Sequence, residues 1–401
     1  MQVVVKKRST EKLYSEEISL LASPEHLEYV RLNLRKIQEV RRSFSIPVVG
    51  IAGAEGKTTT KRMLAAILNK RGPVLETPLD CSSASVVTST LLRLKETHQF
   101  AIIELGIINS AQFKLAVEVA EPTIGIVTNI GEAHMANLGD KFHIADAKVE
   151  LIRNLPANGF ACLNIDDDLV SGMESFSPTN QIIKFGFNPN AHFYASDIRY
   201  LGPDGMSFKV NGFYGMHLPI YSSTSISNAL AAISVARILN FGFEEIKAAL
   251  ENDFQLLPGR GNLISKNDIF ILDHSYNATI NSINKACESL VQFKKFSRQL
   301  ILVVGDLDVA NELSDPIHTN LGYYLSALPI DVVISVGPKA AKVVEGIRKI
   351  NHTKKQLITC MEAEQLPTTV LEHLLPHSTI LVTGGRSLNL GRQLESLLEK
   401  I

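Results

Sequence analysis

The sequence has no run of about 18 apolar residues, the length a helix needs to cross a bilayer, so no membrane span is expected. Its first residues, MQVVVKKRSTEKLYSEE, lack the apolar core of a secretory signal. The four cysteines, Cys81, Cys162, Cys287 and Cys360, are far apart and form no C-x-x-C pair. That argues against a disulfide framework or a thiolate metal site, and for a reduced, cytoplasmic chain with buried thiols. The net charge of -1 provides no global attraction to nucleic acid or to a membrane surface. No repeat of fixed period and no low-complexity tract stands out. What remains is ordinary globular composition, 45% hydrophobic and 20% charged. The 401 residues are enough for two or three domains.

Residues 1–45 are charged and carry one predicted helix, Pro24 to Phe44, whose Arg31, Arg35, Lys36, Arg41 and Arg42 read as a solvated face. From Pro47 the chain alternates strand and helix. Apolar, β-branched runs at 46–51, 100–106, 123–131 and 159–168 are separated by helical patterns, which is the α/β layout of a mostly parallel sheet. Residues 192–221 alternate more finely, as in an antiparallel patch. Two helices follow, from Ile226 to Leu239 and over 241–252. Leu257-Pro258-Gly259-Arg260 breaks the pattern and marks a boundary. After it, DIFILDHS, QLILVVGDLD, DVVISVG, QLITC and TILVTGG alternate with helices expected from Ile280, about His318 and Lys339. That series is a second, doubly wound (Rossmann-like) domain, though it lacks the G-x-G-x-x-G of a dinucleotide site. The fold class expected is α/β, a P-loop central domain over 46–258 and a doubly wound domain over 259–401.

The stretch IPVVGIAGAEGKTTT, 46–60, carries the chemistry. A buried strand, a glycine-rich turn and a helix N-terminus form a phosphate site, because turn amides point inward and the helix dipole favours an anion. Gly53, Ala54, Glu55, Gly56, Lys57, Thr58 and Thr59 form the cradle, with Lys57 as point charge and Thr58 as a hydroxyl for Mg²⁺. The usual G-x-x-x-x-G-K-[ST] spacing would place a glycine at 51, where this chain has Ile51. In a parallel sheet, ligands sit at the carboxyl ends of the strands. Glu104 ends the second strand, and the third runs through Asn129 to Glu132 and His134. Glu104 and His134 are therefore expected above the loop, as a carboxylate and an imidazole able to hold a divalent metal. Lys148 adjoins the apolar face of the next helix, Ile144, Ala147, Leu151 and Ile152, and by itself reads as a snorkelling lysine.

AGAEGKTTT, IIELG, TNIGEAHMANLG, ADAKVELI, SNALAA, LPGR, DHSYNA, VVGDL and VTGGRS occur in the order seen in Mur ligases, and the chain from about residue 46 resembles that family, its MurF branch most. The resemblance implies ATP-dependent amide-bond formation. A substrate carboxylate is phosphorylated to an acyl phosphate, and an amine displaces the phosphate. It implies roles for Lys57 and Thr58 on the phosphates and a first Mg²⁺, for Glu104 as a metal carboxylate and for His134 as ligand of a second metal. It implies that Lys148 is carbamylated by CO₂ into a carboxylate-like anion supporting Mg²⁺. Asn228, Arg260, Asp273, Tyr276 and Asn277 fall at nucleotide-contact positions. Ser82, Ser83, Arg386 and Ser387 fall at substrate positions. The last domain brings the amine, and closure assembles the site.

The departures from the family pattern are specific. Only about 45 residues precede the phosphate loop, where the family has a UDP-binding domain. Asp80-Cys81-Ser82-Ser83 stands for N-x-N-N, and Thr224 to Asn228 for H-N-x-x-N, with only Asn228 kept. His274 replaces the second Asp of D-D-S-Y-N-A, and Thr383 replaces a lysine before Gly384. The chain alone is therefore expected to bind UDP-N-acetylmuramoyl-tripeptide weakly. A smaller carboxylate, or a protein partner supplying the UDP-binding domain, is expected to make up the difference. An active ligase is the first reading. A Mur-like nucleotide-binding or regulatory protein without turnover is the second, motivated by the eroded adenine contacts.

Overall fold

The computed structural model describes residues 24–79, 83–107, 109–131, 140–309, 311–350 and 354–401. They form two compact units. The first comprises the described residues up to Ser196 with Val210–Tyr214 and Ser227–Phe254, and the second Asp197–Lys209, Gly215–Ile226 and Gln255–Ile401.

In the first unit, β1 (Val48–Ala52) is apolar and buried along its whole length. It pairs in parallel with β3 (Phe100–Glu104) on one side and β4 (Ile124–Val127) on the other. β2 (Val74–Glu76) extends the sheet beyond β3, and β5 (Phe160–Asn164) and β6 (Ile182–Gly186) extend it beyond β4, all in parallel. β7 (Phe193–Tyr200), β8 (Met206–Val210) and β9 (Tyr214–Leu218), whose residues are shared between the two units, complete the sheet order β2-β3-β1-β4-β5-β6-β7-β8-β9. Central strands buried on both faces read as continuous apolar runs, which is how 46–51, 100–106 and 123–131 read in the sequence. The loop after β1 therefore opens at the carboxyl edge of a central strand.

The N-terminal helix α1 (Pro24–Arg42) packs on this unit through Val30 and Ile37. Arg31, Arg35, Lys36 and Arg42 are exposed, as expected, but Arg41 is buried. Its guanidinium donates to the carbonyls of Ala120 and Phe44, at 3.3 and 3.0 Å. A buried cation at the carboxyl end of the helix Ser110–Ala120 meets carbonyls with no partner inside that helix.

The second unit holds a six-stranded sheet of order β10-β11-β15-β12-β13-β14, with β10 (Asn262–Lys266) and β11 (Ile269–His274) antiparallel. β12 (Gln299–Gly305), β13 (Val332–Val336), β14 (Gln356–Cys360) and β15 (Ser378–Thr383) run parallel to one another and to β11. Successive residues of β12 enter different cores: Leu300, Leu302 and Val304 on one face, Ile301 and Val303 on the other. That is the period-two signature of a sheet covered on both sides. One helix begins at Asn311 rather than about His318 and runs through Pro316. Cys162, Cys287 and Cys360 are unbonded and buried; Cys81 lies outside the described residues.

Candidate active site

The turn after β1 is built for close approach. A Cβ on Gly53 would overlap Thr128 Oγ1, and one on Gly56 would overlap Asn228 Oδ1. Gly56 has φ 82°, in the left-handed region that side chains disfavour, and it caps α2 (Lys57–Leu68) without a side chain. The strand continues through Ile51, which pairs with Glu104 on one side and Ile126 on the other. The turn therefore starts only at Gly53, which is why position 51 does not need to be glycine. Asn129 stiffens the turn: its Oδ1 accepts from the amides of Ala54 and Glu55 at 3.1 and 2.9 Å, and its Nδ2 donates to the Glu55 carbonyl at 3.1 Å. Lys57 folds back along the turn, Nζ donating to the carbonyls of Gly53 and Ala54 at 2.9 and 3.2 Å.

Thr58 and Glu104 meet. The Thr58 hydroxyl lies 3.0 Å from Glu104 Oε1 and 3.1 Å from Oε2, and both residues are buried. The parallel pairing of β1 and β3 produces this contact, because it sets the end of β3 beside the turn. Two oxygen donors side by side fit Mg²⁺, which prefers hard oxygen ligands and retains waters. Among the described residues no group of three or more His, Cys, Asp or Glu could hold a metal. Lys61, one turn further along α2, completes this cluster. Its Nζ is 3.2 Å from Glu104 Oε2.

Lys148 lies in the helix Lys141–Arg153, which begins on an Asp140 cap accepting from the amides of Phe142 and His143. Its side chain does not snorkel: the residue is 1% exposed. Nζ has no hydrogen-bond partner among the described residues. Burial drives its pKa down to about 7; the Lys57 cation lowers it further and Asp167 opposes the shift. An amine held this way gives up its proton far more readily than a free lysine does.

In the second unit a cluster forms around Tyr276. The Arg260 guanidinium stacks 4.1 Å from the ring centroid, and that of Arg386 lies at 5.3 Å. Asp273 shapes the turn beneath: its Oδ2 accepts from the Gly259 amide at 2.8 Å and its Oδ1 from the Ser275 amide at 3.0 Å. Asp308 fixes the other arginine, accepting from the Arg386 amide at 2.7 Å and the Ser387 hydroxyl at 2.6 Å. Asn277 is exposed beside Tyr276. His274 lies against Gly261, and burial pulls its pKa down to about 4.

The Mur ligase middle domain family matches residues 51–236, and the Mur ligase glutamate ligase domain family matches 259–386. The UDP-N-acetylmuramoyl-tripeptide–D-alanyl-D-alanine ligase of Escherichia coli (strain K12) is 31% identical over 90% of this chain and 78% of its own length. The ligase of the same name from Bacillus subtilis (strain 168) is 27% identical over 88% of this chain and 76% of its own. A crystal structure of MurF from Acinetobacter baumannii superposes with a TM-score of 0.81 at 28% identity, covering 92% of this chain and 80% of that one.

This chain belongs to the Mur ligase family.

In this Mur ligase, the structure brings Gly53, Ala54, Glu55, Gly56, Lys57, Thr58, Glu104 and Asn228 into one neighbourhood, with Thr59 in the first turn of α2. His134 and Ser82 lie outside the described residues. Ser83, expected on the substrate side, caps the helix Ala84–Leu91 by accepting from the Val86 amide. Arg260, Asp273, Tyr276, Asn277, Arg386 and Ser387 belong to the second unit. Sequence reasoning assigned no role to Lys61, Asn129, Asp167 or Asp308. Lys61 had a signal, since it is three residues after Thr58 and so shares its helix face. For Asp308, nothing in the sequence pattern connects it to Arg386 across 78 residues.

Proposed function

We propose that this Mur ligase is a MurF-like enzyme that joins a carboxylate to an amine at the expense of ATP, through an acyl phosphate. The observation that carries the reading is the buried Thr58–Glu104 pair at the mouth of a phosphate loop. The turn amides and Lys57 bind and orient the nucleotide phosphates. Thr58 and Glu104 would hold Mg²⁺, and His134 would be available for a second ion. The metal would draw charge from the phosphoryl group as it transfers to the carboxylate. Asn228 backs the turn at Gly56. Residues 46–258 form the nucleotide half and 259–401 the amine half, in which Arg260 serves nucleotide and Arg386 and Ser387 serve the incoming amine. Asp273 and Tyr276 shape that surface.

Lys148 is carbamylated in this reading. Its neutral Nζ adds to the carbon of CO₂, an N–C bond forms, a C=O electron pair moves to oxygen, and the amine proton leaves to solvent. Repulsion from Lys57 becomes attraction, which offsets the burial of the new anion. The carbamate would supply an anion able to support Mg²⁺.

The test is ADP release by the purified chain. It is measured with UDP-N-acetylmuramoyl-tripeptide and D-alanyl-D-alanine, and with smaller carboxylates paired with the same amine. Release that requires both a carboxylate and an amine is the expected result. Tight nucleotide binding with no release under any pairing would instead favour a binding protein.

A further inference from the structure

The mechanism above makes no use of Lys61, although it is among the largest fully buried side chains of the protein. A lysine is rarely fully buried unless its charge is matched. Its Nζ donates to the Thr77 carbonyl at 2.8 Å and the Pro78 carbonyl at 3.3 Å, and it forms an ion pair with Glu104 Oε2 at 3.2 Å. Thr77 closes the arrangement from the other side, because its hydroxyl accepts from the Glu104 amide at 3.0 Å. The Thr77 amide donates to the Ile102 carbonyl at 3.2 Å, tying the same segment to β3.

We propose that Lys61 is the positioning residue of the metal carboxylate. It anchors Glu104 through Oε2 and the 77–78 backbone, so that the carboxylate is turned toward Thr58 before metal arrives. Three features support this. Thr58 and Lys61 are three apart on α2, so one helix face presents both the hydroxyl and the ammonium to the same carboxylate. Glu104 is 5% exposed, so without a neighbouring cation its charge has almost no water to stabilise it. A carboxylate fixed in advance loses little side-chain freedom when it takes a metal, and outer-sphere partners of this kind commonly tune affinity 10–100-fold. The inference rests on the ligase reading only in taking Thr58 and Glu104 as the metal pair.

The test uses the full chain with Lys61→Met and Lys61→Gln; the Gln amide can still donate to the 77–78 carbonyls but carries no charge. Far-UV circular dichroism establishes that each variant is folded. Mn²⁺ binding is followed by electron paramagnetic resonance in the presence of a non-hydrolysable ATP analogue, and analogue binding is measured separately in EDTA. The expected result is Mn²⁺ affinity reduced about tenfold or more, with metal-free nucleotide affinity changed less than about twofold and partial recovery in Lys61→Arg. Unchanged Mn²⁺ affinity in a folded variant overturns the proposal, as does an equal loss in both measurements. If neither variant folds, Lys61 serves the core alone and the proposal also fails. A wild type that binds nucleotide but no Mn²⁺ overturns the metal-pair reading itself, which is a different outcome from variants that match a binding wild type.

Discussion

Two lysines of the first unit are buried to the same degree, 1% exposed each, in opposite surroundings. Lys61 has hydrogen-bond acceptors in two backbone carbonyls and an ion pair with a carboxylate. Lys148 has none among the described residues and a pKa near 7. Burial alone therefore says little about what a lysine does. A matched ammonium is a fixed charge that orders its neighbours. An unmatched one loses its proton near neutral pH and becomes a nucleophile.

The sharpest way to break the comparison is Lys61→Met. It leaves Glu104 buried without its counter-charge, and the expected stability loss is about 3–5 kcal/mol, read as the shift in a urea midpoint. A loss under about 1 kcal/mol would show that the pair is not what holds this region. Lys57→Ala is the next largest effect. Removing one preorganised charge should slow ATP turnover about 100-fold or more, with an unchanged circular dichroism spectrum. Normal turnover would remove the loop from the mechanism.

Lys148→Met should do the opposite of Lys61→Met to stability. An apolar chain replaces an unpartnered amine, so stability should rise by about 1 kcal/mol, read as a higher urea midpoint, while ligase activity is lost. The alanine variant should regain part of its activity with added acetate or formate, which can occupy the vacated anion position. Full activity in the methionine variant would end the carbamate reading. The pH dependence follows from the same group. Between about pH 7 and the ~10.4 of a free lysine, the unfolded chain holds a proton that the folded chain lacks. Wild-type stability in CO₂-free buffer should therefore rise with pH across that interval relative to Lys148→Met, and the difference should be flat below it.

The smallest effect lies in the second unit. Arg386 is exposed, so Arg386→Ala should change stability by less than about 0.5 kcal/mol. It should raise the KM for the amine about tenfold, as expected for one lost charge-assisted hydrogen bond. A fall in kcat with KM unchanged would place Arg386 outside amine binding.

The alternation of strand and helix, the glycine turn after β1 and the position of Glu104 at a strand end were all legible in the order of residues. Those follow from periodicity and glycine placement over a few residues, which local sterics and burial impose directly. Parallel pairing then carried Glu104 to Thr58 as that reading required. The family motifs set Lys148 apart, whereas its own apolar neighbours suggested a snorkelling chain. How deeply Lys148 is buried and what surrounds its amine depend on the packing of distant segments. The tertiary structure also decided that Lys61 meets Glu104 and the 77–78 backbone, that Arg41 caps a helix 79 residues away, and that Asp308 holds Arg386. In each of these a polar group depends on partners distant in the chain. Hydrophobic period encodes which face of an element is covered, but not which donor or acceptor the covering element brings to a given atom.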